Sequence, residues 1–168
     1  MASGSLLNLV LMPLRRGLKL QTFVPENTFS NSVFVLDRQR LGKQRVETLQ
    51  IMKALAGLSK GWINHPATRM WRGYEYALLM YQHYTVEEWK RRGYKDTCWD
   101  KTKAVYDEFF DTSMYKSCDI GMPHWWGDNR VHDSHKSALV FKDPVWYNTI
   151  YPDVVGEYNY YWPVAKED

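Results

Sequence analysis

The helical hydrophobic repeat is the dominant pattern along this chain. From Asp37 to about Ala56, apolar residues such as Leu49 and Met52 recur at the spacing that brings them onto one face of an α-helix. Asp37 is a residue type that caps helix starts, and Gly57 is a natural stop. The pattern therefore predicts a helix over about 37–56.

The same repeat continues through the rest of the chain. A second long helix begins where Asn64 or His65 precedes Pro66, because proline favours the first turn of a helix, and it ends at Gly93. The segment Thr85–Glu88 has the form of a capping box, so this helix is either continuous or interrupted there. No alternating strand pattern or internal repeat appears, and the pattern predicts an all-α, compact single-domain fold with three main helices and an aromatic-rich C-terminal segment. Further helical segments are predicted over about 97–110, from Asp128 to about Phe141, and as short turns after Thr28 and Asp143.

Composition supports one domain, since 168 residues with 45 % hydrophobic content can form a substantial core. We place this domain at 19–168 and treat residues 1–18 as an appendage: an extra packed element, an artefact, or translation upstream of a later start. Within it, Arg15 and Arg16 follow a short apolar run, which is the wrong order for a signal peptide and too short for a membrane span. Cys98 and Cys118 match neither a disulfide scaffold nor a zinc site. We expect a cytoplasmic monomer with no membrane partner.

Charge adds a candidate function only through its clustering, because a net charge of +3 is mild. Arg40, Lys43 and Glu47 share one face of the first long helix, and Arg38 and Arg45 flank them. A solvated stripe with a Lys43–Glu47 pair is the simplest interpretation. The alternative is a phosphate-binding face, on which a carboxylate repelled by the same phosphates needs a chemical role. General acid–base chemistry on bound DNA is such a role.

Three segments, in this order, carry a resemblance to a known family. They are "RLGKQRVE" at 40–47, "EEWKRRGYKDT" at 87–97 and "KDPVWY" at 142–147. Together they resemble the pyrimidine-dimer DNA glycosylase/AP lyase family of the phage endonuclease V type. The resemblance implies a helical domain that kinks damaged duplex DNA, flips a base, cleaves the glycosidic bond at a cyclobutane pyrimidine dimer and then performs β-elimination. It also implies that Glu47 is the catalytic glutamate and that no metal or cofactor is required.

The nucleophile implied by the resemblance is an α-amine at the processed amino terminus. A neutral α-amine is far more abundant at pH 7 than a neutral lysine, which makes this choice reasonable. The position equivalent to the family's start lies near Thr22, which we include as catalytic, yet this chain begins some twenty residues earlier. Three possibilities follow: a shorter native chain, with Leu18 as a possible start; a substituting lysine such as Lys19 or Lys43; or a water activated by Glu47 without lyase activity.

Other side chains are candidates for DNA contacts. Trp125 and Trp126 occur in a Gly/Pro loop, where paired exposed rings would support a splayed base or wedge into a duplex. Asp128, His132 and His135 share a helix face and are metal-ligand types, but we interpret Asp128 as a cap and the histidines as polar-face residues or phosphate contacts. The alternatives to a glycosylase are a catalytically silent DNA-binding module and a metal-dependent nuclease. The predicted DNA-binding residues are Arg38, Arg40, Lys43, Gln44, Arg45, Trp125, Trp126, His132, His135, Lys136, Trp146 and Tyr147, and the predicted partner is duplex DNA with damaged or modified pyrimidines.

Overall fold

A computed structural model describes residues 20–163, and over that range it is helical with no strand, which confirms the predicted all-α class. No helix of the described range is long and apolar enough to cross a membrane. The appendage at 1–18 and the candidate amine of Lys19 lie outside the described residues. The helices are α1 (Phe29–Phe34), α2 (Arg38–Leu55), α3 (Pro66–Trp71), α4 (Glu75–Arg91), α5 (Cys98–Phe109), α6 (Asn129–Lys142) and α7 (Pro144–Tyr147), with a 3₁₀ turn at Thr112–Lys116.

Local signals set most of the helix boundaries. The side chains of Thr28, Asp37 and Asp128 accept backbone N–H hydrogen bonds at the first turns of α1, α2 and α6, as predicted. Pro66 opens α3 and Gly93 follows the end of α4 with a φ of +90°. The capping side chains bind backbone N–H groups that have no partner within the helix, so residues near each start determine where these helices begin.

The break in the second predicted helix lies elsewhere than at the Thr85–Glu88 capping box. The helix stops at Trp71 and resumes at Glu75, after a turn in which Gly73 has a φ of +84°. Thr85 lies inside α4, where it is buried and donates its hydroxyl proton to the carbonyl of Tyr81. A hydroxyl used in this way cannot cap a new helix, and α4 runs unbroken through it.

The core forms where α2 packs against α4 and α5. Leu41, Ile51 and Met52 of α2 and Leu78 and Tyr81 of α4 are fully buried in it. Helix α1 packs on α4, and α6 packs on α7. Four helices in the described range have 12 residues or more, one more than the three main helices expected.

Two segments without helical structure bring distant parts of the chain to the surface of α2. Residues 20–24 run extended and are all buried, although no strand pairs with them. Residues 155–162 cross α6, where the backbone N–H of Glu157 donates to the Ser137 carbonyl. The crossing is close: a Cβ on Gly156 would lie 2.8 Å from the backbone nitrogen of Phe141. Both segments approach the same carboxylate on α2, that of Glu47.

Candidate active site

A cavity of about 840 Å³ opens along the first three turns of α2. Most of its wall is apolar, and two indole rings and two exposed basic side chains are among its lining residues, as is usual for a ligand site. Glu47 and Asp37 contribute its two acidic groups. The cavity is lined by Asp37, Arg38, Gln39, Gly42, Lys43, Val46, Glu47, Gln50, Trp89 and Trp146.

Burial controls the acidity of Glu47. Removal from solvent raises its pKa from 4.5 to about 7, because the charged form loses hydration. A backbone hydrogen bond from Gln21, the positive charges of Lys43 and Lys142, and a hydrogen bond from Gln44 act in the opposite direction and limit the rise. A carboxyl group with a pKa near neutrality can both accept and donate a proton at physiological pH, which suits general acid–base catalysis.

The extended segment at 20–24 lies against Glu47, and side chains rather than a neighbouring strand satisfy its backbone. The amide nitrogen of Gln44 donates to the Gln21 carbonyl and to the Glu47 carboxylate, at 2.9 and 3.0 Å. Its amide oxygen accepts the Phe23 N–H at 2.8 Å. Buried backbone groups need such partners, and Gln44 therefore connects this segment to Glu47.

Two histidines of α6 bind the other end of the same segment. His135 Nδ1 accepts the Val24 N–H at 2.9 Å, and His132 Nδ1 donates to the Val24 carbonyl at 2.6 Å. His132 Nε2 in turn accepts the Gly127 N–H, which fixes its tautomer. Burial lowers the pKa of His135 to about 3, so its ring is neutral. Both rings are buried and neither faces a phosphate-binding surface, contrary to the polar-face interpretation.

The aromatic C-terminal segment also lies near Glu47. Burial is the main cause that raises the pKa values of Tyr158 and Tyr160, and the negative charge of Glu47 acts in the same direction on both phenols. Tyr160 packs edge-on against His135, with ring centroids 5.4 Å apart. Lys142 Nζ lies 4.7 Å from the centre of the Tyr158 ring. This segment therefore forms part of the surroundings that desolvate Glu47.

The four predicted basic residues of α2 fall into two groups. Arg38 and Lys43 are exposed at the cavity mouth and form no salt bridge with any described residue. Arg40 pairs with Asp37 at 3.2 Å and is close to Asp143.

Arg45 belongs to the group that is already neutralised. It pairs with the buried Asp96 at 2.5 Å and stacks over Trp89, with its guanidinium 4.2 Å from the ring centre. This pair supplies the anionic partner that a half-buried arginine requires, and it leaves Arg38 and Lys43 as the cations available to a phosphate.

Several other predicted site residues lie in the core, among them two predicted DNA contacts and Thr22, which was predicted as catalytic. Trp125 is buried and its indole N–H donates to the Met70 carbonyl, so the expectation of two exposed rings fails at this position. Tyr147 is fully buried and its hydroxyl donates to Asp37. The Thr22 side chain is buried too, and accepts the indole N–H of Trp71. Each of these polar atoms has an internal partner, because burial would otherwise leave it unsatisfied.

The remaining predicted residues lie near the surface. Trp146 is 45 % exposed, lines the cavity, and donates its indole N–H to the Val35 carbonyl. Trp126 is partly buried and donates to the Asn27 carbonyl. Lys136 pairs with Asp133 and lies over the Tyr151 ring, outside the residues that line the cavity. Of the aromatic residues predicted to contact DNA, Trp146 is the one that the structure brings to the cavity.

Sequence analysis did not identify Trp89 as a site residue, although its indole lines the cavity. Gly42 contained a usable signal. A glycine inside a helix costs about 1 kcal/mol relative to alanine, so its presence indicates close packing. A Cβ at Gly42 would lie 3.2 Å from the Trp89 ring, which accounts for the glycine.

Comparisons with known proteins give one match. A family model described as pyrimidine dimer DNA glycosylase matches residues 20–102, a range that includes the extended segment, Glu47 and Trp89. Neither the curated proteins nor the solved structures include a significant match.

Proposed function

Since residues 20–102 place this chain in the pyrimidine dimer DNA glycosylase family, we propose that it excises damaged or modified pyrimidines from duplex DNA, with cyclobutane dimers as the main substrate. Glu47 is the acid–base residue, and AP lyase activity through an imine follows base release. The proposed route invokes no metal or cofactor. The described residues contain no cluster of three or more potential metal ligands, and His132 and His135 use their Nδ1 atoms on backbone groups.

The observation that carries this proposal is the position of Glu47 beside the backbone of Gln21. The carboxyl group has a pKa of about 7 and accepts a hydrogen bond from that backbone. An ionised Glu47 stabilises the positive charge that develops on the sugar as the glycosidic bond breaks. A protonated Glu47 can return the proton in the elimination steps, which explains the value of a pKa near neutrality.

The Gln21 nitrogen is also where a nucleophilic amine would act. In a chain that starts at Gln21 this atom is an α-amine, with an ordinary pKa near 8, and roughly a tenth of it is neutral at pH 7. Its lone pair forms the bond to C1′ as the bond from C1′ to the base breaks and the base takes up a proton. Opening of the sugar ring then gives the imine, and loss of a C2′ proton with the 3′ phosphate cleaves the strand.

In a chain that starts at Met1 the same nitrogen is part of a peptide bond and cannot attack. Lys43 is then the nearest candidate amine among the described residues that line the cavity, since it is exposed there and its charge acts on Glu47. The alternative is a water molecule activated by Glu47, which releases the base without an imine. The test must therefore identify the amine as well as the activity.

Duplex DNA fits the mouth of this cavity. Arg38 and Lys43 are exposed cations there and can bind phosphates, which gives affinity that depends on salt. Trp146, which is 45 % exposed, offers a ring face for an unstacked base, as enzymes that act on flipped bases commonly do. The largely apolar walls lower the polarity around the base and Glu47.

The test uses a duplex with one cyclobutane thymine dimer and a matched duplex without it. Base release is scored as thymine freed after photoreversal of the dimer, because the cyclobutane bonds otherwise hold the cleaved base to its neighbour. Base release, strand cleavage and borohydride-trapped adducts are measured for the full chain and for a chain cut to begin at Gln21, whose free amine is checked by intact mass. Glu47→Gln should abolish turnover while binding persists. Glu87→Gln, a substitution of an exposed glutamate on α4, is the matched control and should leave turnover unchanged.

The outcomes separate the possible mechanisms. An adduct on the Gln21 amine of the shortened chain supports the α-amine route, and an adduct on Lys43 supports the lysine. Base release without an adduct supports water activation. Binding without turnover by either chain on dimer or abasic DNA refutes the enzyme and leaves the silent DNA-binding module.

A further inference from the structure

Gln44 occupies a position where a polar side chain is expensive. It lies in the second turn of α2, between core residues, and its exposed fraction is 0 %. A buried amide costs free energy unless all of its donors and acceptors find partners. The sequence suggested a DNA contact, but a fully buried side chain cannot touch DNA.

The hydrogen bonds of Gln44 account for its whole amide group. Both N–H groups are used, on the Gln21 carbonyl and on the Glu47 carboxylate. The oxygen accepts the Phe23 N–H, and the Tyr81 hydroxyl lies 2.8 Å from it. The orientation of the amide is fixed, because reversal would place N–H against N–H at Phe23 and oxygen against oxygen at Gln21.

We propose that Gln44 is a positioning residue, which holds the Glu47 carboxylate and the backbone of residues 21–23 in a fixed relation to each other. This inference rests on the proposed function, because Glu47 and the nitrogen of residue 21 are the reacting groups only in that proposal. Gln44 would hold these two groups together. Gln44 binds only backbone atoms of residues 21 and 23, so the position of residue 21 does not depend on its side chain.

The proposal makes a specific statement about Glu47. A donor aimed at a carboxylate favours its charged form, and the Gln44 hydrogen bond lowers the Glu47 pKa against the effect of burial. Its removal should therefore raise that pKa. Loss of this one donor is expected to raise the Glu47 pKa by about one pH unit.

The primary variant is Gln44→Met, which keeps the length of the side chain and removes its hydrogen bonds. Gln44→Glu is the second variant, because it retains an acceptor for the Phe23 N–H but has at most one donor proton. Gln82 offers a matched control. It is a fully buried glutamine on α4 whose amide nitrogen donates to the Arg45 carbonyl and to the Thr102 hydroxyl, away from Glu47. Gln82→Met and Gln82→Glu thus report the cost of the same changes elsewhere in the core.

Two measurements are made on each folded variant, with folding checked by thermal unfolding. The first is a ¹³C NMR titration of the Glu47 carboxyl, which requires no turnover. The second is the single-turnover rate of base release against pH, together with the affinity for dimer-containing DNA. Gln44→Met should shift the Glu47 titration and the acid limb of the rate profile to higher pH by about one unit. Gln44→Glu places a second carboxyl group beside Glu47, so its shift should be at least as large. At pH 6 the rate should fall about tenfold, with DNA affinity within about twofold.

The contrary results are equally clear. An unchanged Glu47 titration in the Gln44 variants would overturn the proposal, as would an equal shift in the Gln82 variants. A loss of DNA affinity without a change in the pH profile would make Gln44 a binding residue and overturn it as well. If the unchanged protein releases no base from dimer DNA, the proposed function fails, whereas the NMR titration still decides whether Gln44 positions Glu47.

Discussion

Glu47→Gln should make the folded protein more stable at alkaline pH. The pKa of Glu47 is about 7 in the folded protein against an ordinary 4.5, a difference of about 2.5. At pH values between 4.5 and 7, Glu47 keeps its proton in the folded chain but has lost it in the unfolded chain. The free energy of unfolding therefore falls as pH rises, and above pH 7 the folded chain bears the full cost of the buried charge. At 1.36 kcal/mol per pH unit, the cost is about 3 kcal/mol as an upper limit, because the carboxyl group still reaches the cavity.

The assay is urea unfolding of the two proteins at pH 5 and pH 8. Neutral glutamine avoids the cost of a buried charge, so the advantage of the variant should be present at pH 8 and shrink towards pH 5. Glu87→Gln, on the exposed face of α4, should show no such pH-dependent gain. A variant whose stability relative to the unchanged protein is the same at both pH values would refute the argument that burial dominates at Glu47. Confirmation would identify Glu47 as a group retained for activity at the expense of stability.

Further predictions concern charges elsewhere in the molecule. Asp96→Asn should lower the free energy of unfolding by about 3–5 kcal/mol, measured by urea unfolding, because it leaves Arg45 without its buried partner. Lys43→Gln should leave stability within about 0.5 kcal/mol and reduce the salt slope of DNA affinity by about one, whereas an unchanged slope would exclude a phosphate contact. Burial lowers the pKa of His135 to about 3, so between pH 6.5 and 3 this histidine is protonated in the unfolded chain but neutral in the folded chain. The free energy of unfolding of the unchanged protein should therefore decrease as pH falls through this range. In His135→Leu this acid dependence should be smaller, although the variant is less stable at pH 7.

The sequence was sufficient for features that depend on neighbouring residues. Caps such as Asp37 and Asp128 act on N–H groups two or three positions away, so their effect is visible in a short window. Glu47 was singled out as a candidate because it is a lone carboxylate among several cations on its helix, and its chemical role stays a prediction. These inferences do not require knowledge of which segments meet in space.

The site's inner partners could not be found in this way. Gln44 and Phe23 are 21 positions apart, and Val24 and His135 are 111 apart. From the sequence, Gln44, His132 and His135 look like surface residues, because they occur in a basic helix or a polar pattern. In the structure they are buried, where they form hydrogen bonds with the backbone of residues 20–24. Trp125 was misplaced for a similar reason, since a glycine- and proline-rich loop does not reveal that the core behind it can hold an indole.

The convergence of two distant segments on Glu47 bears on when the site comes into existence during synthesis. Residues 20–24 and α2 leave the ribosome early, whereas Tyr158 and Tyr160 are among the last described residues to be made. A chain leaves the ribosome in sequence order, so α2 is made before the tyrosines that lie near its Glu47. The environment of Glu47 is therefore complete only after the aromatic segment has been translated, and the domain acquires it as a unit.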